Sequence, residues 1–249
     1  MIKQAIGSRL ARFLTAPRPD YVQRDTVPVE RVARSLQPGD IVLVDGDARI
    51  STAIKYLTQS TWSHACLFTG PPTGDPDAPS LIEADLNEGV IRVPLSKYAD
   101  HNLRICRPVG VEPEELQIVV GFAEASLGHQ YDLKNITDLL RYLIRVPWVP
   151  SRYRRRMITL GSGEPTRAIC STLIAEAYQS IRYPILPHYM ETPEEQGMAS
   201  LQARHHSLYV PGDFDLSPYF RIIKPTIEQG FDFHQLNWKE SGFPADENA

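Results

Sequence analysis

The sequence predicts an α+β fold, and three observations carry that expectation. Short runs of β-branched and apolar residues cluster in the first half, at 41–44, 64–68, 81–84, 90–93 and 103–106. Helical spacing takes over at 113–127 and 170–181, and a late strand follows at 220–223. Strands grouped ahead of helices fit an antiparallel sheet with helices packed on it. A doubly wound parallel sheet would alternate the two throughout.

Each element has a local reason. Residues 2–14 repeat Ile2, Ile6, Leu10 and Phe13–Leu14 around Lys3, Arg9 and Arg12, a helical pattern with a basic side that Pro17 and Pro19 end. A second short helical pattern covers 29–36, and Gln37-Pro38-Gly39-Asp40 turns the chain into the first strand. Residues 70–80, GPPTGDPDAPS, read as a hairpin loop. Pro113 with Glu114 and Glu115 opens the helix over 113–127, and Gly128 stops it. Residues 135–144 read as another helix. In 170–181, Leu173, Ile174, Ala177, Tyr178 and Ile181 share one face. Residues after Pro225 read as a surface strap or tail.

Composition excludes several classes. A net charge of −4 argues against nucleic acid as a partner, because phosphate backbones need a basic surface. No apolar run approaches the roughly 20 residues that span a bilayer. The first residues lack the apolar core and cleavage site of a secretory signal. Three cysteines without CxxC spacing suit a reducing compartment, so the expected location is cytoplasmic. No HExxH-type spacing or glycine-rich phosphate loop appears, and neither a metal nor a cofactor is expected.

Chemistry concentrates at three residues. Cys170 follows the loop 161–169 at the start of a helix, where free N–H groups and a partial positive charge stabilise a thiolate and an oxyanion. His64 stands where a turn becomes a strand, able to reach a cleft while the strand holds it, and suited to serve as base to a thiol. Glu83 interrupts an apolar strand, where a carboxylate is costly to bury unless paired; orienting a histidine would pair it. On position alone Asp85 or Glu88 would serve nearly as well. Cys66 lies two residues past His64 and shares its face, and reads as core that at most lines the pocket; Cys106 reads as core.

These segments together resemble a family. Pro38-Gly39-Asp40-Ile41-Val42, Ser63-His64-Ala65, Ile82-Glu83-Ala84, Gly89-Val90 with Val93-Pro94-Leu95, Gly128-x-x-Tyr131-Asp132, Cys170-Ser171-Thr172-Leu173-Ile174 and Val210-Pro211-Gly212-Asp213 occur in order. The series is similar to the YiiX/YebB/YaeF-like branch of the NlpC-type cysteine hydrolases, in which the papain fold is circularly permuted and histidine precedes cysteine. The resemblance implies a partly barrel-like antiparallel sheet, with Cys170 as nucleophile, His64 as base and Glu83 as orienting residue. Tyr131, Ser63 and Ser171 would border the substrate. It covers roughly 37–225, leaving 1–36 as an N-terminal helical extension and 226–249 as a tail or strap. An insert at 145–165 departs from the pattern and bears on substrate class.

The expected reaction is amide hydrolysis through a thioester, on a peptide or amide. Relatives of the fold also act on esters and lipids, so a lipid-directed acyltransferase or acylhydrolase is the alternative. Residues 1–16 and 141–156 interleave basic with aromatic or apolar residues and suit peripheral contact with an anionic membrane. A catalytically inactive membrane- or partner-binding module is the reading from another class.

Overall fold

The computed structural model describes residues 16–17, 21–23, 27–71, 73–85, 88–130, 169–190 and 200–235. The expected helices at 2–14 and 135–144, the insert at 145–165, Tyr131 and both segments read as membrane-facing lie wholly or mainly outside them. No described helix is long and apolar enough to cross a membrane.

Described elements run α1 (Val29–Ser35), β1 (Ile41–Asp45), α2 (Arg49–Thr58), β2 (His64–Phe68), β3 (Pro79–Asp85), β4 (Gly89–Pro94), a 3-10 turn at Leu95–Tyr98 and β5 (Asn102–Pro108). After them come α3 (Pro113–Ala125), α4 (Ile169–Ser180), β6 (His188–Met190), β7 (Ser200–Gln202), α5 (Pro211–Leu216), β8 (Phe220–Ile223) and α6 (Pro225–Glu228). The fold is α+β, as the order of elements predicts.

Six strands form one sheet in the order β4-β3-β2-β1-β5-β8, every neighbouring pair antiparallel. Among the described residues the sheet is open, with β4 and β8 at its edges. Strand β1 is buried on both sides, and its side chains alternate between two cores. Ile41 and Leu43 face Leu173, Ile174, Ala177 and Tyr178 of α4, together with Ala65, Leu67 and Ile82. Val42 and Val44 face Val32, Ala33 and Leu36 of α1, together with Cys66, Leu81, Leu95 and Tyr98. The apolar face read in 170–181 is thus the face that docks α4 on the sheet.

The turn into β1 is pinned from both directions. Gly39 has φ +88°, which strains any residue with a side chain, and a Cβ there would also stand 2.6 Å from Leu116 Cδ2. The Tyr178 hydroxyl of α4 donates to the Gly39 carbonyl. Asp40, fully buried, accepts the Gln37 N–H at 2.8 Å and both ends of the Arg107 guanidinium at 2.8 and 2.7 Å. Burial raises the Asp40 carboxyl above its ordinary range, and Arg107 offsets part of that.

Candidate active site

His64 is delivered by the turn that leads into β2. Trp62 is buried; its indole N–H donates to Asp215 at 2.9 Å, and Arg104 lies over its ring at 5.0 Å while binding the same carboxylate. The Ser63 N–H donates to the Val44 carbonyl at 3.1 Å, and the Ser63 hydroxyl accepts the Gly46 N–H at 2.9 Å. Held this way, His64 enters β2 opposite Val44 with its side chain about a quarter exposed.

Glu83 comes from β3. The β2–β3 register pairs Leu67 with Ile82, and one step further sets Cys66 opposite Glu83. Its carboxylate, 1% exposed, gathers four partners. Oε2 lies 3.1 Å from His64 Nε2 and 3.4 Å from Cys66 Sγ, and it accepts the Tyr98 hydroxyl. Oε1 holds the Lys97 ammonium. Lys97 and Tyr98 sit on the 3-10 turn that begins when Pro94 ends β4. Burial alone would raise the Glu83 carboxyl, but His64 and Lys97 hold it well below the usual carboxylate range. Burial, with Cys66 and Glu83 beside it, drives Tyr98 far up, so its hydroxyl remains a donor.

Cys170 arrives in the first turn of α4, buried like the helix face behind it. Its sulfur is hydrogen-bonded by His64 and by the backbone amides of Ala65 and Ser171. Burial raises its thiol, but His64 and these amides outweigh that and bring it below the ordinary value. Cys66 goes the other way: burial and the Glu83 carboxylate push it up to about 11 despite His64. Burial lowers His64, yet the sulfurs of Cys66 and Cys170 bring it well above its ordinary value. Of the two sulfurs beside His64, Cys170 is the one brought down and Cys66 the one pushed up.

The structure therefore brings His64, Glu83 and Cys170 into one cluster. Ser63 and Ser171 are beside it, but their hydroxyls serve the backbone: Ser171 Oγ donates to the Tyr209 carbonyl at 2.7 Å. The Ser171 contact to the cysteine is made by its amide instead. Sequence reasoning did not single out Lys97 and Tyr98, or the direct Cys66–Glu83 contact. One signal for them exists: a buried carboxylate needs donors, and Leu95-Ser96-Lys97-Tyr98 follows the strand paired with β3.

The chemistry this permits is nucleophilic attack by a thiolate beside an imidazolium, the arrangement of cysteine hydrolases. Residues 35–142, which include His64 and Glu83, match the family of permuted papain-like amidase enzymes, YaeF/YiiX, C92. The match spans less than half of the chain. The C92 family is one of amidases, and the protein is in broad class a cysteine hydrolase. A solved structure described as the metalloprotein yiiX from Escherichia coli O157:H7 is 16% identical, with a TM-score of 0.46, covering 76% of this chain and 96% of that one. At that distance it lends no residue role to this chain. No curated protein matches the chain.

Proposed function

We propose that this protein hydrolyses amide bonds through a Cys170–His64–Glu83 triad and a Cys170 thioester, in a unit spanning residues 37–225. One observation carries the reading: His64 is hydrogen-bonded to the Cys170 sulfur and, through Nε2, to a buried carboxylate. Glu83 fixes that nitrogen as the N–H donor, which leaves Nδ1 to exchange a proton with Cys170.

The Cys170 thiolate attacks the amide carbonyl carbon, and the carbonyl oxygen takes up negative charge. Free amides in the first turn of α4 stabilise that oxyanion. His64 gives its Nδ1 proton to the leaving amine, the C–N bond breaks, and the acyl group remains on Cys170 as a thioester. Water then attacks while Nδ1 takes its proton; the C–S bond breaks, and the acid leaves. Glu83 remains ionised throughout, compensating the imidazolium charge, and Lys97 and Tyr98 hold it in place.

The test is the pH dependence of iodoacetamide alkylation, resolved for each cysteine by mass spectrometry, in the wild type and in His64→Ala. Cys170 is expected to react far faster than Cys66 and Cys106 below pH 7, and to lose that advantage without His64. An ordinary thiol profile for Cys170 near pKa 8.5 would sink the reading and favour a non-catalytic binding module.

A further inference from the structure

Cys66 has no part in that reaction, yet it is buried against the same carboxylate and imidazole. The ligand atoms of His64, Cys66 and Glu83 lie within 4.8 Å of one another. The separations are 3.1 Å from Nε2 to Oε2 and 3.4 Å from Sγ to Oε2. An imidazole nitrogen, a thiolate sulfur and a carboxylate oxygen are the donor types zinc takes, and three protein ligands leave its fourth position open.

We infer that His64 Nε2, Cys66 Sγ and Glu83 Oε2 form a Zn²⁺ site that switches the hydrolase off. The hydrogen bonding around Oε2 favours this exchange. Oε2 is approached by His64, Cys66 and Tyr98, three donors on an oxygen with two lone pairs. One ion in place of the Nε2 and Sγ protons leaves Oε2 with two partners, the metal and the Tyr98 hydroxyl. Tyr98 and Lys97 then become the outer hydrogen bonds that orient a ligating carboxylate. The cationic Lys97 side chain, about two-fifths exposed, can turn toward water as the second positive charge enters.

In the exchange the Nε2 proton and the Cys66 thiol proton pass to solvent, and zinc bonds form to nitrogen, sulfur and oxygen. The imidazole's remaining proton is held on Nδ1, facing Cys170. With Nε2 on the metal, Nδ1 cannot release that proton to a leaving amine and remain a neutral base for the next step. Binding itself requires only the three donors; the inhibitory consequence rests on the reading of His64 as the base.

The experiment loads purified full-length protein with Co²⁺ as a spectroscopic probe and with Zn²⁺, in the wild type and in Cys66→Ala. Expected is one ion per chain with an intense near-ultraviolet thiolate-to-cobalt band, absent in Cys66→Ala. Zinc X-ray absorption on the wild type should show a single sulfur at about 2.3 Å with nitrogen and oxygen ligands; it needs no variant, should Cys66→Ala fold poorly. Zn²⁺ should also slow hydrolysis of an activated amide at least tenfold in the wild type and not in Cys66→Ala, each against its own metal-free control. No binding, two sulfurs, or a band that survives Cys66→Ala would overturn the site. A correct band with Cys170 unreactive even without metal would leave the site standing and remove the hydrolase reading instead.

Discussion

Two cysteines flank one histidine in this protein, and their surroundings drive them in opposite directions. Cys170 sits at the start of a helix, with two backbone N–H groups and His64 on its sulfur, and its thiol is brought below the ordinary value. Cys66 sits inside a strand, facing the Glu83 carboxylate, and its thiol is held at about 11. Both are buried, so burial is not what separates them. The direction follows from the second neighbour: amide dipoles that welcome negative charge, or a carboxylate that repels it.

The largest test of this contrast is removal of each sulfur in turn. Cys170→Ala should lower kcat/KM for an activated amide by about 10⁴-fold. Cys66→Ala should cost less than a tenth of that; equal losses, measured side by side on one substrate, would break the contrast. Next is His64→Ala. Because Cys170 is shifted down, its thiolate persists as pH falls through the ordinary thiol range. Without His64 the alkylation rate at pH 6 should drop about 100-fold and fall tenfold per pH unit.

Glu83→Gln tests the other half. A carboxyl held low in the folded state contributes stability that is present above its unfolded value of about 4.3 and is lost as pH falls below it. The variant should be less stable by about 2 kcal/mol at pH 7, and its stability should decline less between pH 5 and pH 3, as urea midpoints would show. A parallel acid limb in both proteins would mean that Glu83 is not the charge that counts. Tyr98→Phe is the smallest: it removes one of several donors to the carboxylate and should cost about 1 kcal/mol, with kcat changed less than tenfold.

Much of this arrangement is legible in the sequence because it is local. The strand bearing His64 begins where a short apolar run begins, and the Gly39 turn follows from Gln37-Pro38-Gly39-Asp40. The apolar face of 170–181 is the face that carries Cys170 to the sheet. The strand order, with β4 and β8 at the edges of the sheet among the described residues, has no local signature in the sequence. Helix α2 escaped reading because its helical start has no side-chain cap, and β-branched Ile50, Thr52 and Ile54 blur its period. Lys97 and Tyr98 escaped for a different reason. They reach Glu83 through a turn after the neighbouring strand, and register decides such contacts, not spacing along one segment. Ser63 and Ser171 were legible as neighbours of the site, though their hydroxyls are engaged with backbone groups.

The amide of Ala65 on the Cys170 sulfur joins β2 to α4, segments far apart in the chain. In the unfolded polypeptide all three thiols are ordinary, so the lowered Cys170 value exists only after strand and helix have met. Such distant contacts close late relative to local ones. A brief alkylation pulse during refolding would therefore use Cys170 as a built-in clock: the moment its rate departs from an ordinary thiol's is the moment the long-range topology is complete.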